Sequence, residues 1–361
     1  MINLDDEHII AFKASCCEIR KMDYFLLESK TICKFASVMK SIVINKRFER
    51  LDDFIASFNY GGDLQKSFAK GNFIFRGHAS EKYELIPSAL RLECSGRFNA
   101  IALGNDSGGS EYFQMVKEYN ILRRFFKLCD LKGLLVDDAE RIRDTWQERF
   151  DIDTLVKNED WLPRDLWSIA AFAQHYGLPT RLLDWTHDRF VALYFAIENY
   201  LDSVKSPKES KNIVIWALNM NPFISQANLG LPLVFVQPVY HGNMNMIAQQ
   251  GLFTLWQVKK ETVIENNQLK PNLGMEVNRK PLDFLLNEYF SERGENIAPF
   301  LYKITIPSNC FKEIYHYLVD IGYDAARIYP GYEGVAKAII HNQYLVSENE
   351  QAFHGVSFCR K

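Results

Sequence analysis

The chain has 361 residues, of which 47% are hydrophobic and 24% charged, and its formal net charge is −3. This is the composition of a globular protein with room for one large domain or two small ones. Because a near-neutral charge shows no concentrated basic face, it argues against a dedicated duplex-DNA-binding protein, while a local RNA or nucleotide site stays open.

The cysteines and the amino terminus indicate a cytoplasmic protein. There are seven cysteines, an odd number, and no CxxC pair, which argues against a disulfide framework and against a structural zinc site. The first residues, MINLDDEHII, lack a signal-peptide pattern, and no apolar run approaches the roughly 20 residues of a membrane span. We therefore expect a protein of a reducing compartment without a membrane segment.

The first predicted elements lead to an arginine at the end of a strand. Apolar residues at helical spacing predict a helix that begins near Leu51 and ends near Gly61. The apolar run that precedes Arg76 predicts a short strand. Two further helices are predicted near 111–129 and 137–149.

The segment 166–201 carries the clearest pattern. Its first helix is expected to stop at Gly177, because glycine readily adopts the left-handed conformation that ends helices. The residues Thr180–Trp185 then predict a short buried strand. A second helix with an apolar stripe should follow, capped by Thr186 or Asp188.

The second half mixes strands and helices without strict alternation. The predicted elements are strands at 213–218, 252–256 and 300–307, a polar loop near 265–281, a helix around 310–321 and a last helix after Gly334. We therefore predict an α+β fold, with a mixed, largely antiparallel sheet surrounded by helices. The predicted organisation is a helical amino-terminal extension over 1–45, one domain over 46–345 and a tail over 346–361.

Five motifs resemble the FRG domain, a family named for a Phe-Arg-Gly sequence. In chain order they are Phe73–His78, Gln174–Thr186, Ala192–Ala196, Ala248–Phe253 and Tyr329–Gly334. The resemblance covers residues from about 70 to 340. Asn245 stands where the family often has arginine ahead of the Gln-Gln-Gly segment, so a phosphate-binding role of that arginine is not carried over.

The order of the motifs also resembles, distantly, that of ADP-ribosyltransferases. An arginine closes an early strand, a hydroxyl-bearing strand runs into a helix, and a segment with Gln or Glu comes late. This resemblance implies an ADP-ribosyltransferase-like core and an enzyme that uses NAD as its substrate, without a metal. Its acceptor would be a protein, RNA or DNA, and its setting a bacterial toxin or anti-phage effector.

The resemblance selects twelve candidate site residues. Three are candidates for catalysis: Glu333 first, Asp184 second, and His175. A carboxylate that faces the ribose would stabilise the oxocarbenium-like charge that forms as nicotinamide leaves. The candidates for binding the NAD are Arg76, Gly77, Gln174, Tyr176, Arg181, Trp185, Thr186, Gln249 and Gln250.

Several of these residues have a structural alternative. The guanidinium fork of Arg76 suits a pyrophosphate, but an ion pair with Asp184 would also explain an arginine after an apolar strand. Arg181 and Asp184 lie on opposite faces of an ideal strand, so only one of the two is expected to face the site. Likewise, only one of Gln249 and Gln250 need point into it.

The other candidates are open to two interpretations as well. Gly77 would let a ligand approach the backbone closely. Tyr176 or Trp185 would stack on nicotinamide or simply pack. Thr186 is a ligand contact or a helix cap, and Glu333, in a turn rich in Gly and Pro, is a catalytic acid or a solvent-exposed carboxylate.

Other functions stay open. A non-catalytic module would use Arg76, Arg181 and the Gln-Gln segment to sense a nucleotide or RNA without turnover. Alternatively, a toxin could interact with a protein antitoxin through residues 1–45. The sequence has no HExxH, no Gly-rich phosphate loop followed by Lys-Ser or Lys-Thr, and no GxSxG, so no metal site, P-loop or serine hydrolase is expected.

Overall fold

The computed structural model describes most of the chain between residues 41 and 345. The described residues are 41–92, 95–102, 109–136, 138–148, 160–202, 210–225, 230–238, 240, 243–259, 262–265, 268–271, 275–293 and 297–345. The predicted amino-terminal extension, apart from its last residues, and the predicted tail lie outside them.

One large sheet forms the centre of the described part. The strands are β1 (Val43–Arg47), β2 (Phe73–His78), β3 (Leu182–Thr186), β4 (Asn212–Asn219), β5 (Leu233–Val236), β6 (Gly251–Trp256), β7 (Thr262–Glu265), β8 (Gln268–Pro271) and β9 (Leu301–Pro307). Seven of them form an open sheet in the order β1-β9-β4-β2-β3-β6-β5, and β7 and β8 form a separate hairpin. Within the large sheet only β1 and β9 pair in parallel.

Helices cover both faces of this sheet. Those of the described residues are α1 (Leu51–Phe58), α2 (Asp63–Ala69), α3 (Ser95–Ala102), α4 (Glu111–Leu131), α5 (Ala139–Glu148), α6 (Trp167–His175), α7 (Arg189–Asp202), α8 (Asn221–Ser225), α9 (Met244–Gln249), α10 (Leu282–Glu292), α11 (Phe311–Asp320), α12 (Ala325–Ile328) and α13 (Tyr332–His341). The predicted α+β class and mixed, mostly antiparallel sheet are confirmed.

The inner strand β4 shows why two helical layers are needed. Alternate residues of a strand point to opposite faces, and in β4 both sets are apolar. Ile213 and Ile215 join a core that includes α1, α7 and α11, whereas Val214 and Trp216 join a core on the other face with α10. A third core packs α4 and α6 against β3, β5 and β6. The sheet is therefore buried on both sides at its centre.

The two helices that flank β3 end and begin as their sequences predict. After α6, Gly177 has a φ of 82°, in the left-handed region. At the start of α7, the Asp188 carboxylate accepts a hydrogen bond from the Phe190 amide at 2.8 Å. This is the side-chain cap predicted for Asp188. The end of α6 and the start of α7 thus set the limits of the segment that forms β3.

Three predicted boundaries are corrected. Residues 43–45, assigned to the helical extension, belong to β1. The predicted polar loop near 265–281 contains strand β8, which pairs with β7. Helix α13 begins at Tyr332, ahead of Gly334. Gly334 lies inside the helix. A Cβ at this position would lie 1.7 Å from the Tyr329 carbonyl oxygen, so the glycine permits close packing and does not mark the end of a turn.

None of the helices within the described ranges has the length and apolar character that crossing a bilayer requires.

Candidate functional site

A cleft of about 520 Å³ opens where β2 and β3 separate. The two strands pair only between Phe75 and Thr186, so the space beyond this pair is available to side chains. Ten of the twelve candidate residues line the cleft: Arg76, Gly77, Gln174, His175, Tyr176, Asp184, Trp185, Thr186, Gln249 and Glu333. A volume of this size is typical of small-molecule sites.

Arg76 lies between the separating strands and is held from two sides. Its Nε donates to Nε2 of His78 at 2.9 Å, and its Nη1 donates to the backbone carbonyl of Asp184 at 2.7 Å. Nη1 also lies 2.5 Å from the Asp184 carboxylate. These contacts fix the plane of the guanidinium. Nη2 has no hydrogen-bond partner among the described residues and is therefore free to bind an anion in the cleft.

His78 completes the support of Arg76, and the sequence analysis did not select it. Burial, followed by the neighbouring Arg76 charge, lowers the pKa of His78 from 6.5 to about 3. The ring is therefore neutral at physiological pH. Since Nε2 accepts from Arg76 and Nδ1 lies 3.2 Å from the Tyr83 carbonyl, the proton belongs on Nδ1. The histidine at the end of the Phe-Arg-Gly strand was the only sequence signal for this role.

The Asp184 carboxylate is the anionic partner of Arg76. Its side chain is 60% exposed, because the cleft opens onto it. Burial alone would raise the pKa of Asp184, but the charge and hydrogen bond of Arg76 outweigh it and hold this pKa below its ordinary value. The ion pair considered as an alternative for Arg76 is thus present, within the cleft.

Gln174 extends the pair toward the end of α6. Its Nε2 lies 3.3 Å from the Asp184 carboxylate, and its Oε1 accepts a hydrogen bond from the Thr180 hydroxyl. Thr180 in turn is anchored by its amide to the hydroxyl of Ser88 at 3.2 Å. The amide of Gln174 is therefore oriented by the protein before any ligand arrives.

Helix packing explains why residue 77 is a glycine. A Cβ at this position would lie 2.0 Å from the Ala192 carbonyl oxygen and 2.7 Å from the Ala196 nitrogen. Helix α7 therefore packs directly on the backbone of β2, and only glycine allows this. Gly77 also lines the cleft, and a ligand contact at its backbone stays a prediction.

Thr186 and Gln249 join β3 to α9 and α12. The Thr186 hydroxyl donates to the Gln249 carbonyl at 2.6 Å and accepts from the Asp188 amide at 3.0 Å, and the residue is buried. Its hydroxyl is thus already used, which favours the structural alternative. The Gln249 side chain lines the cleft and donates from Nε2 to the Ile328 carbonyl at 3.3 Å, and none of the described residues donates to its Oε1.

His175 and Tyr176 form the rim at the end of α6. Their rings contact edge to face, with centroids 5.3 Å apart. Burial lowers the pKa of His175 below its ordinary value, so the imidazole is neutral at physiological pH. Tyr176 is 60% exposed, which leaves its ring free to stack on a planar ligand.

Trp185 does not offer its ring to the cleft. The indole is buried in the core on the opposite face of the sheet, and its Nε1 donates to the Thr254 hydroxyl at 2.9 Å. This follows from strand alternation, since Asp184 on the next position points to the cleft. Of the two rings predicted to stack on a ligand, only that of Tyr176 is exposed.

Arg181, a predicted ligand-binding residue, lies outside this cleft. It is only 4% exposed, and its Nη2 pairs with both Glu111 and Glu118 of α4. Its Nε donates to Glu118 at 3.0 Å. The two carboxylates outweigh the desolvation that burial imposes and raise the pKa of Arg181. Of the pair Arg181 and Asp184, the latter faces the site, as alternation of side chains requires.

The two glutamines of the Gln-Gln segment have different surroundings, the cleft for one and solvent for the other. Gln250 ends α9 with a φ of 46°, in the left-handed conformation, and its side chain is exposed outside the cleft. Gln249 lines the cleft. Asn245, where the resemblance leads one to expect arginine, lines it as well. The departure from the family pattern therefore lies in the site itself, which has an amide in place of a cation.

Glu333 lies in the first turn of α13 rather than in an irregular turn. Its side chain is exposed at the cleft, where the amino-terminal end of the helix dipole favours a carboxylate. Helix α13 is fixed from behind, because Lys337 donates to Glu198 of α7 at 2.7 Å and pairs with Asp202 at 3.0 Å. Tyr329 donates to the same oxygen of Glu198 at 2.6 Å.

The described residues contain no group of three or more His, Cys, Asp or Glu side chains placed to hold a metal ion.

Comparison with known families finds a match for part of this site. Residues 71–205 match the FRG domain, so the chain contains an FRG domain. The match includes β2, α6, β3 and α7, which carry Arg76, Gln174 and Asp184. The motifs around Gln249 and Glu333 lie beyond it. No curated protein matches the chain, and no solved structure matches it.

Proposed function

We propose that the cleft binds NAD and transfers ADP-ribose from it to a macromolecular acceptor. One observation carries the proposal: a single cleft brings together a fixed guanidinium, two oriented amides, an exposed aromatic ring and two carboxylates. These are the groups that an enzyme needs to hold a charged dinucleotide and to stabilise a positive charge on its ribose.

Binding would use the groups that the protein leaves unpaired. Nη2 of Arg76 would donate to the pyrophosphate. The side-chain oxygen Oε1 of Gln249 and the side-chain amide of Asn245 would pair with the carboxamide of nicotinamide or with a base, since an amide both donates and accepts. The exposed ring of Tyr176 would stack on the flat heterocycle.

Catalysis is assigned to Glu333 in preference to Asp184. The Asp184 carboxylate already pairs with Arg76 and accepts from Gln174, so its charge is neutralised within the protein. Glu333 is exposed, and its carboxylate is available to hold the ribose 2′-hydroxyl and to face the developing charge. Asp184 instead positions Arg76.

The reaction balances without a further reactant. The bond between ribose C1′ and the nicotinamide nitrogen breaks, and its electron pair leaves with nicotinamide, which becomes neutral. An acceptor nucleophile forms the new bond to C1′ and loses a proton. His175, whose imidazole is neutral at physiological pH, would accept that proton, and no metal is required.

A non-catalytic nucleotide-sensing module is the second candidate. The observation in its favour is that Arg76, Asp184 and Gln174 satisfy one another, an arrangement suited to binding without turnover. Such a module would still bind NAD or another nucleotide, but it would release no nicotinamide.

Replacement of Glu333 separates the two candidates. Glu333→Gln removes the charge and keeps the shape, so nicotinamide release from NAD should fall by about 10²-fold or more, while NAD affinity should change little. Release would be followed by chromatography, and binding by calorimetry. The matched control is Glu313→Gln, an exposed glutamate in the first turn of α11, which should behave as the parent. NAD binding by the parent without nicotinamide release would establish the sensing module instead.

A further inference from the structure

We propose that the acceptor is a protein, docked by an apolar segment on an exposed apolar rim that flanks the cleft. The apolar rim consists of Met244 and Ile247 on α9 together with Tyr332, Val335 and Ile339 on α13. This inference rests on the proposed transferase function and names the class of its acceptor.

The rim belongs to the same two helices that line the cleft. On α13, Tyr332, Val335 and Ile339 follow one another at the spacing of a single helical face, whereas Gly334 and Ala338 on the other face are buried. Tyr332 is 98% exposed and Ile339 68% exposed. Isolated apolar residues on a surface are ordinary, but a stripe along one helix beside a cleft marks an interaction surface.

Helix α9 adds apolar surface from its own side of the cleft. Met244 is 63% exposed, and Ile247 is nearly half exposed. Between them on the helix, Asn245 and Met246 line the cleft. The helix contains no charged residue. A macromolecule that reaches the cleft over α9 therefore meets amide and apolar groups and no cation.

The charges of the cleft decide between a protein and a nucleic acid as the acceptor. Its lining residues carry one guanidinium, Arg76, against two carboxylates, Asp184 and Glu333, and the one free donor of Arg76 is assigned to the pyrophosphate of NAD. Nucleic acids are bound chiefly through lysine and arginine contacts to phosphates. A net negative cleft with an apolar rim instead complements a protein segment with apolar side chains around an uncharged or basic acceptor residue.

The test places a charge on the apolar rim outside the cleft. The full-length chain and Ile339→Asp would be incubated with a cell lysate and NAD labelled in its ADP-ribose part, with label followed after nuclease or protease digestion. Nicotinamide release without lysate would be measured in parallel. The control is Leu131→Asp, an equally exposed leucine at the end of α4 that does not line the cleft.

The expected result is label on protein, resistant to nuclease and lost on protease digestion. Ile339→Asp should lower this transfer by about tenfold or more, since a carboxylate in an apolar interface costs at least about 1.4 kcal/mol. Its nicotinamide release and melting temperature should match those of the parent, and Leu131→Asp should change none of the three.

The failures are distinguishable. Nicotinamide release with label on nucleic acid overturns the proposed acceptor class and keeps the transferase. Transfer to protein at the parent's level by Ile339→Asp overturns the docking surface. The absence of nicotinamide release from the parent overturns the transferase and, with it, the acceptor.

Discussion

Arg76 serves the fold and the site with different parts of one side chain. Nε and Nη1 bind His78 and Asp184, while Nη2 is free toward the cleft. A guanidinium is suited to this division because its donors lie in one rigid plane, so fixing one edge orients the other. A lysine would be unable to do both. The neutral state of His78 is part of the arrangement, since only a neutral ring accepts the Nε hydrogen bond.

At this scale, the buried His78 should make stability depend on pH. Its pKa is about 3 in the folded protein and 6.5 ordinarily, so the unfolded chain binds the extra proton between these values. The stabilisation is fully present above pH 6.5 and is lost as the pH falls toward 3. Between pH 7 and pH 5 the loss should be about 2 kcal/mol.

Urea unfolding at both pH values would measure this loss. His78→Gln keeps a group that accepts from Arg76 but does not titrate, so its loss over the same interval should be about 2 kcal/mol smaller than the parent's. The other histidines are common to both chains and cancel. Equal losses in the two proteins would show that His78 is not the buried titrating group.

At the scale of elements, the triad of Arg181, Glu111 and Glu118 joins the residue before β3 to α4. The triad is buried, with each side chain no more than 4% exposed. Trp161 and Gln114 donate further hydrogen bonds to Glu118, at 2.6 and 2.9 Å. The triad lies outside the cleft, so it should affect stability and not the proposed reaction.

Arg181→Met tests this assignment. The change leaves two buried carboxylates without their cation and should destabilise the protein by about 3–5 kcal/mol. Nicotinamide release by the folded variant should equal that of the parent. Arg143→Met, which breaks the half-exposed pair with Asp130, should cost less than about 1 kcal/mol. A raised KM for NAD at unchanged stability would restore Arg181 to the ligand-binding residues.

The sequence predicts elements where local chemistry decides them. The strand before Arg76, the helix end at Gly177 and the cap at Asp188 all follow from neighbouring residues, and the structure has each of them. The partners of Arg181 lie 70 and 63 residues away, at Glu111 and Glu118, so no local pattern points to them. Other contacts between residues that are distant in the sequence are equally invisible to local patterns.

The glycines show this limit most directly. From sequence, Gly334 reads as the end of a turn and Gly77 as a place for a ligand. In the structure both allow close backbone packing, against Tyr329 and Ala192. The motifs predict which segments meet at the cleft. They do not predict which residue of a neighbouring pair faces it, because that depends on the orientation of the strand or helix end in the fold. Asp184 faces the cleft and Trp185 the opposite core, and Gln249 lines the cleft while Gln250 is exposed.

At the scale of the whole molecule, the sheet begins earlier than the predicted domain. Strand β1 pairs in parallel with β9 from Val43 to Arg47 and covers its edge. Ile42 is buried in a core and Phe48 packs on another. The domain boundary at residue 46 would therefore cut an edge strand in two.

Two shortened chains, one from residue 41 and one from residue 49, would test the contribution of β1. Loss of Ile42 and Phe48 should cost the shorter chain about 1.5–3 kcal/mol for each side chain. The bare edge of β9 should also make it associate, because an unpaired strand is a template for another. Urea unfolding and sedimentation velocity would measure both effects. Equal stability and equal mass in the two chains would mean that β1 is dispensable.

The single pairing between β2 and β3 gives the sheet a seam. On one side lie β1, β9, β4 and β2, and on the other β3, β6 and β5. Arg76 connects the two halves. Its guanidinium extends from β2 in one half and binds the backbone carbonyl and the carboxylate of Asp184 in the other. An anion bound at the free Nη2 would leave these contacts with Asp184 in place. Such an anion would therefore be connected, through one side chain, to both halves of the sheet at the line where they meet.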